Sequence, residues 1–282
     1  MPNVLITRNI PQPALERIRA GCTVRQWQSD DPMPRPLLLE WAQGVDGILC
    51  LLTERIDAAL LDAAGPQLKV VSTMSVGYDH VDVPALAARG VLLGNTPGVL
   101  TETTADLALA LLLAAARRLP EAWRAVEDGA WGPWQPLWMT GRDLHGSTVG
   151  IVGLGRIGAA VGRRLLGFGC KLLYSGPRPH PDLAGPLGAV YTSFDDLLAQ
   201  SDFVTIHCPL NEQTRDLFDA RAFARMKPSA ILVNTSRGPV VDQDALYTAL
   251  TSEQIAAAGL DVTTPEPLPA DHPLLSLPNC VV

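Results

Sequence analysis

Residues 147–165 read STVGIVGLGRIGAAVGRRL, and this stretch decides the fold. It holds Gly153, Gly155 and Gly158 in the spacing GxGxxG, after a short apolar run and before a helix-forming run. The pattern is specific in this context, where it predicts a strand, a tight turn and a helix that bind a dinucleotide. Gly153 permits the turn, Gly155 lets the backbone approach the pyrophosphate, and Gly158 lets helix and strand pack closely. A glycine-rich turn without a ligand is the alternative.

The start of the predicted helix supplies the positive potential that this loop needs. The chain has a formal net charge of −7, so its overall field repels an anionic cofactor. Unpaired N–H groups in the first helical turn offset that repulsion locally. We therefore predict that Arg156 and Ile157, at the helix start, bind the cofactor together with the three glycines.

The residues after the next predicted strand indicate which nicotinamide cofactor binds. An NAD site usually has Asp or Glu about 20 residues after the glycines, where it binds the ribose 2′-OH. Here the strand KLLY is followed by Ser175, Gly176, Pro177 and Arg178, with no carboxylate. Ser175 can donate to a 2′-phosphate and Arg178 can pair with it. The sequence predicts NADP(H) rather than NAD(H), unless Arg178 is only a solvated surface charge.

Short apolar runs and helical segments alternate on both sides of the glycine loop. This alternation is typical of parallel sheets covered by helices on both faces. The length of 282 residues allows two cores. We predict an α/β protein with two Rossmann-like, doubly wound domains: residues 1–97 form a substrate-binding domain and residues 98–282 a dinucleotide-binding domain.

Polar residues follow several predicted strands, at the edge where open parallel sheets bind ligands. Arg237 comes directly after an apolar strand, where it could hold a substrate carboxylate and carbonyl, or instead form a structural salt bridge with Asp261 or Glu266. The turn Ser75–Gly77 could present N–H groups to a carboxylate or be an ordinary turn. We assign further strand-end residues to the cofactor: Cys208, Pro209, Thr235 and Asp261.

Two segments between the predicted domains carry unusual apolar content. Thr101–Leu119 has the signals of a long helix, and we interpret its apolar run Leu107–Ala116 as buried. Residues 120–147 hold Trp123, Trp131, Trp134 and Trp138 among prolines and glycines. Aromatic side chains are enriched at interfaces, so we predict that this arm forms a homodimer. The alternative is an arm folded over its own domain.

Composition excludes several classes of protein. An apolar fraction of 47% and a charged fraction of 18% are typical of a globular chain rather than a disordered one. The sequence contains no Lys/Arg cluster of the kind that would predict nucleic-acid binding. Its longest apolar run is too short to span a membrane. The five cysteines form no CxxC pair, so we predict no metal site and interpret them as free thiols in the cytoplasm.

Five stretches together resemble the D-2-hydroxyacid dehydrogenase family, and most of all its glyoxylate/hydroxypyruvate reductase branch. They are STMSVGYDHVD, NTPGVLTETTADLALALLL, GSTVGIVGLGRIG, LVNTSRGPVVDQDAL and AAGLDVTTPEPLP. The resemblance implies a flavodoxin-like substrate domain, a Rossmann domain and a small 2-oxo acid substrate bound between them.

The same resemblance implies roles for individual residues. Arg237 would orient the 2-oxo acid, and Glu266 would pair with a catalytic His. Leu51, Ser75, Val76 and Gly77 would bind the substrate. Asp261 would help to place the nicotinamide, and Trp138 would reach the active site of a dimer partner.

The chain departs from the family pattern at its end. The family places its catalytic His after the strand that begins NCV, whereas this sequence ends at Val282. We expect a truncated reductase with turnover lower by about 10²–10⁴-fold, the usual contribution of a positioned acid. A non-catalytic NADP-binding regulatory module is the alternative. A phosphoglycerate dehydrogenase is disfavoured, because neither a basic pocket nor an acidic residue after KLLY is evident.

Overall fold

A computed structural model describes all residues, 1–282, and the chain divides into two compact units, Met1–Leu100 and Thr101–Val282. The sequence-based boundary lies three residues earlier, at 97/98. Each unit is built on its own parallel sheet. No helix combines the length and the apolar character that crossing a membrane requires.

The first unit is a five-stranded sheet with strand order β2-β1-β3-β4-β5, all parallel. This is the flavodoxin-like order. Its strands are β1 (Asn3–Ile6), β2 (Thr23–Gln26), β3 (Gly47–Cys50), β4 (Val70–Thr73) and β5 (Leu92–Gly94). Its helices are α1 (Gln12–Arg19), α2 (Arg35–Trp41), α3 (Ala58–Ala64) and α4 (Val83–Ala88).

The two faces of this first sheet are covered unequally. Leu5, Ile48 and Val71 point to one face and form a core with residues of α2, α3 and α4. On the other face Leu49 and Val70 are half-buried, and Leu92 is 71% exposed. Three of the four helices pack on the first face, so the second face is covered less completely, although Ile6 on that face is fully buried.

The second unit is a seven-stranded parallel sheet with the order β12-β11-β10-β9-β6-β7-β8. Counted from β6, this is the Rossmann order 3-2-1-4-5-6 with one further strand at the edge. The strands are β6 (Thr148–Val152), β7 (Lys171–Ser175), β8 (Val190–Tyr191), β9 (Phe203–Ile206), β10 (Ile231–Asn234), β11 (Ala257–Leu260) and β12 (Cys280–Val281). The helices are α5 (Thr101–Ala116), α6 (Leu119–Glu127), α7 (Arg156–Leu166), α8 (Pro181–Ala184), α9 (Phe194–Gln200), α10 (Ala220–Arg225) and α11 (Gln243–Thr251).

Strands of the second sheet are buried on both faces. Ile231 and Val233 face one core, while Leu232 between them faces the other. This alternation follows from the pleat, since successive side chains point to opposite faces. One hydrophobic core therefore packs on each face of the sheet. Ligands of open parallel sheets bind at the carboxyl edge, which here is formed by the ends of β6, β9, β10 and β11.

The segments between the predicted domains differ from the sequence-based interpretation. Helix α5 is buried along one stripe only, and Leu107 and Ala110 in its apolar run are exposed. Helix α5 ends at Ala116 and not at Leu119, and Arg118, in the left-handed conformation, separates it from α6. The first third of the Trp-rich arm is helical, as α6. The aromatic density predicted an arm but did not reveal its local structure.

Candidate active site

The glycine loop after β6 is shaped by close backbone packing. Gly153 has φ +95°, and a Cβ there would lie 2.7 Å from the backbone nitrogen of Cys208. A Cβ on Gly158 would lie 2.4 Å from the carbonyl oxygen of Gly153. The N–H of Gly153 donates to the carbonyl oxygen of Ser175 at 2.9 Å. These contacts fix the turn between strand and helix, as the spacing predicted.

The glycine loop has both the open space and the positive potential that a dinucleotide pyrophosphate requires. A Cβ on Gly155 would meet no atom within 4 Å, so this face of the loop is open. Gly155 is also the N-cap of α7, and no side chain caps that helix. The first N–H groups of α7, from Arg156 onward, are therefore directed at the open space and suit an anion.

The residues at the end of β7 lie close to the glycine loop. Ser175, the last residue of β7, is 8% exposed, and its carbonyl oxygen is bound by the Gly153 N–H. Arg178 is exposed in the loop that follows. Strand β7 is next to β6, so this loop lies beside the glycine loop at the same edge of the sheet.

The residues at the end of β9 pack against the glycine loop. Burial lowers the pKa of His207 to about 4, so its ring is neutral at pH 7; its Nε2 contacts the Thr205 hydroxyl at 2.9 Å. Burial raises the pKa of the Cys208 thiol to about 11, which excludes a reactive thiolate at neutral pH. Cys208 therefore contributes backbone and volume here, while the next residue, Pro209, is exposed.

The turn after β10 is built on a buried amide side chain. Asn234 is 1% exposed; its Oδ1 accepts from the N–H of Ser236 at 3.0 Å and its Nδ2 donates to the carbonyl oxygen of Arg237 at 2.9 Å. The Ser236 hydroxyl donates to the carbonyl oxygen of Cys208, which joins this turn to the end of β9. The half-buried Arg237 is therefore held on a fixed backbone at the carboxyl edge of the sheet.

One buried atom in this turn lacks a partner. The hydroxyl oxygen of Thr235 is buried and makes no hydrogen bond. Buried polar groups are nearly always paired, so an orphan of this kind at a ligand-binding edge fits a cofactor polar group. This observation supports the sequence-based assignment of Thr235 to the cofactor.

The loop after β11 packs directly on the Arg237 turn. A Cβ on Gly238 would lie 2.0 Å from the carbonyl oxygen of Thr263, so only glycine fits there. The N–H of Asp261 donates to the carbonyl oxygen of Asn234 at 2.9 Å. The side chain of Gln243 holds both backbone groups of Thr264, accepting from its N–H at 2.9 Å and donating to its carbonyl oxygen at 2.6 Å. Glu266 follows, exposed, two residues later.

In the first unit, the turn Ser75–Gly77 presents free backbone donors. Its carbonyl groups are all engaged: the Ser75 hydroxyl donates to Gly77 at 2.7 Å, Asn95 Nδ2 donates to Val76 at 2.9 Å, and the N–H of Thr96 donates to Ser75 at 2.9 Å. The N–H groups of Val76 and Gly77 donate to no backbone carbonyl. Such a turn can bind a carboxylate.

A buried carboxylate orders the other predicted substrate residue of this unit. Glu54 is 3% exposed, and its Oε2 accepts from the N–H of Leu51 at 2.8 Å. Burial by itself raises the pKa of Glu54, but hydrogen bonds from Leu51, Thr53, Thr7 and Arg8 outweigh it and lower the pKa below its usual value. The charged carboxylate thus fixes the backbone at Leu51.

The second sheet brings most of the predicted site residues of its unit to a single edge, on the loops after β6, β7, β9, β10 and β11. Trp138 is not on this edge; it lies in the arm and is 38% exposed. Sequence reasoning missed three residues that hold the loops: Glu54, Asn234 and Gln243. Only Asn234, a polar residue ending an apolar strand, gave a visible signal in the sequence.

Comparison with known proteins agrees with this geometry. Residues 109–282 match the family model described as D-isomer specific 2-hydroxyacid dehydrogenase, NAD binding domain. The chain is 52% identical to the human glyoxylate reductase/hydroxypyruvate reductase, over 99% of this chain and 86% of that protein. It is 48% identical to the glyoxylate reductase of Korarchaeum cryptofilum, over 100% of this chain and 85% of that protein.

Solved structures show the same fold over the whole chain. A protein of Thermus thermophilus superposes with a TM-score of 0.90 at 45% identity, covering 99% of this chain and 88% of that one. An NADPH-dependent glyoxylate/hydroxypyruvate reductase of Sinorhizobium meliloti, in complex with NADP and malonate, superposes with a TM-score of 0.84 at 35% identity, covering 99% and 85%. The chain therefore belongs to the D-isomer specific 2-hydroxyacid dehydrogenase family of oxidoreductases.

Proposed function

We propose that this protein reduces the small 2-oxo acids glyoxylate and hydroxypyruvate to their 2-hydroxy acids, the D isomer in the case of hydroxypyruvate, with NADPH as the preferred cofactor. The observation that carries the proposal is Arg237, held by Asn234 on a fixed turn at the edge that also bears the glycine loop. The names of the human, archaeal and Sinorhizobium relatives support this substrate class.

Arg237 is suited to bind an acid that carries a neighbouring carbonyl. Its planar guanidinium can donate two parallel hydrogen bonds, which orient a carboxylate and stabilise charge that develops on the carbonyl oxygen. A bound nicotinamide cofactor supplies the hydride. The residues that would hold it are Gly153, Gly155, Arg156, Ile157, Gly158, Ser175, Arg178, Cys208, Pro209, Thr235 and Asp261. In the first unit, Leu51, Ser75, Val76 and Gly77 are the proposed substrate-binding residues.

No histidine of the second unit is placed to protonate a substrate beside Arg237. His207 is half-buried, and desolvation lowers its pKa to about 4, so it is neutral at pH 7. His145 lies beside Gly169, at the amino edge of β7, and His180 follows the Arg178 loop. His272 Nδ1 already accepts from the Leu274 N–H at 3.2 Å. We therefore propose that Glu266 takes part in catalysis by pairing with a catalytic histidine, as the family resemblance implies.

The preference for NADPH is supported by the residues beyond β7. The edge there carries Ser175 and Arg178 and no carboxylate that would repel a 2′-phosphate.

The five cysteines are free thiols, which supports a cytoplasmic location.

We also propose a homodimer formed through the Trp-rich arm. Trp131 and Trp134 are 68% and 85% exposed, and Leu137 is 84% exposed. Large apolar side chains exposed along one segment support an interaction site there. In a dimer, Trp138 would reach the partner's active site. Light scattering of the wild type and of Trp134→Ser compares the oligomeric states directly.

The substrate proposal is tested with Arg237→Gln, and Arg221→Gln on the exposed surface of α10 serves as the matched control. Calorimetry measures the affinity for oxalate, a planar analogue of the 2-oxo acids, in the presence of NADPH. Absorbance at 340 nm measures reduction of glyoxylate and hydroxypyruvate. We expect Arg237→Gln to weaken oxalate binding about 10- to 100-fold, the usual loss for a hydrogen bond to a charged group, while the NADPH affinity is unchanged.

Equal oxalate affinity in Arg237→Gln and Arg221→Gln would refute the substrate assignment. NADPH binding without any oxalate binding or turnover in the wild type would favour the regulatory module instead.

A further inference from the structure

The loop that carries Arg178 is fastened at both ends by tyrosine hydroxyls. The Tyr191 hydroxyl donates to the carbonyl oxygen of Gly176 at 2.9 Å. The Tyr174 hydroxyl accepts from the N–H of His180 at 3.0 Å. Residues 176–180, which we call the ribose loop, are thus held at their first and last residues.

The two tyrosines form a single unit of structure. Tyr174 and Tyr191 are register partners on the parallel strands β7 and β8, and their ring centroids are 5.3 Å apart at an angle of 57°. Tyr174 is 2% exposed and is part of the core, whereas Tyr191 is 41% exposed. The two paired tyrosines therefore connect the ribose loop to the rigid core of the sheet.

The ribose loop is stiff between these two points. Pro177 and Pro179 flank Arg178, and each proline ring fixes the φ angle of its own residue. A loop fixed at both ends and limited in the middle loses little conformational freedom when Arg178 binds an anion. Pre-organisation of this kind raises affinity by lowering the entropic cost of binding.

We propose that Tyr191, together with Tyr174, positions Arg178 for the 2′-phosphate of the cofactor and thereby sets the selectivity for NADPH over NADH. This inference rests on the proposed NADPH preference. Tyr191 acts as a positioning residue, because its hydroxyl contacts the loop backbone rather than the cofactor. Loss of the hydroxyl frees the Gly176 end of the loop, so the effect falls on the phosphorylated cofactor alone.

The experiment measures dissociation constants for NADPH and NADH from the fluorescence of the reduced nicotinamide, in the full chain. Four proteins are compared: wild type, Tyr191→Phe, Arg178→Ala and the control Tyr247→Phe on α11, whose ring is similarly exposed. We expect Tyr191→Phe to weaken NADPH binding about three- to tenfold, the usual effect of one hydrogen bond, and to leave NADH binding unchanged. Arg178→Ala is expected to weaken NADPH binding about 10- to 100-fold.

The outcomes separate the two proposals. A wild type without NADPH preference overturns both. A wild type that prefers NADPH and loses this preference in Arg178→Ala, but keeps it in Tyr191→Phe, overturns the positioning role and leaves the cofactor proposal standing. Equal weakening of NADPH and NADH in Tyr191→Phe also overturns the positioning role, because a merely structural defect would act on both cofactors. An unchanged ratio in Tyr247→Phe, with a changed ratio in Tyr191→Phe, supports it.

Discussion

The glycine loop after β6 and the loop after β11 lie at the same edge of one sheet but are held in different ways. The glycine loop is fixed by the absence of side chains, since a Cβ on Gly153 or Gly158 would overlap backbone atoms. The loop after β11 and the Arg237 turn on which it packs are held by amide side chains, those of Gln243 and Asn234 respectively. Close backbone packing tolerates no addition, whereas a hydrogen-bonded loop loses stability step by step as each amide is removed.

The largest effect is expected from adding a single methyl group to the glycine loop. Gly158→Ala places a Cβ 2.4 Å from a backbone oxygen that cannot move freely, and should lower the free energy of unfolding by about 4 kcal/mol and abolish NADPH binding. Gly155→Ala is the matched control for folding, because its Cβ would meet no atom within 4 Å. It should unfold like the wild type in urea yet bind NADPH more weakly. Equal stability of both variants would show that packing does not hold this loop.

The next effect concerns the amide that holds the Arg237 turn. Asn234→Ala leaves the Ser236 N–H and the Arg237 carbonyl without partners, and should lower the free energy of unfolding by about 3 kcal/mol. It should also weaken oxalate binding measured by calorimetry. Asn279→Ala removes an amide that donates to two other backbone carbonyls, and serves as control. The control should lose stability but keep oxalate affinity; the same affinity in Asn234→Ala would contradict its role in placing Arg237.

A smaller effect is expected from pH, through the strand end that supports the glycine loop. Unfolded histidine takes up a proton near pH 6.5, whereas burial lowers the pKa of folded His207 to about 4. The unfolded state binds more protons between these values, so stability is complete above pH 6.5 and is lost as pH falls toward 4. Urea titrations should show a decline of about 2 kcal/mol over this range. His207→Gln should flatten this part of the profile, and an unchanged decline would assign it to other groups.

The smallest effect is expected from Gln243, whose side-chain amide holds Thr264 in the loop after β11. Gln243→Met keeps the shape of the side chain but removes both hydrogen bonds to Thr264, and should lower the free energy of unfolding by about 1 kcal/mol. Hydrogen exchange of the Thr264 amide should accelerate. Gln254→Met, in the same unit, is the control. Unchanged protection of the Thr264 amide would show that packing on Gly238 alone holds this loop.

Much of the second unit could be predicted from sequence, because its signals are local. The helix Arg156–Leu166 begins where the glycine spacing predicted it, directly after Gly155. Weaker elements of the first unit were missed. Strand β2 (Thr23–Gln26) alternates between exposed and half-buried residues at the sheet edge, and α4 (Val83–Ala88) is only six residues long. Short elements at an edge derive their stability from neighbours rather than from their own pattern.

The sequence by itself determined the class of both sheets, the position of the glycine loop and the residue types at the strand ends, because each depends on residues close together in the chain. Only the tertiary structure decided which side chains hold those strand ends. Glu54 accepts a hydrogen bond from the hydroxyl of Thr7, 47 residues away, and Gln243 binds Thr264, 21 residues away. Such hydrogen bonds join residues that are distant in sequence, and no local spacing encodes them. They exist because parallel strands bring their carboxyl ends to a shared edge, where each buried polar group must find a partner.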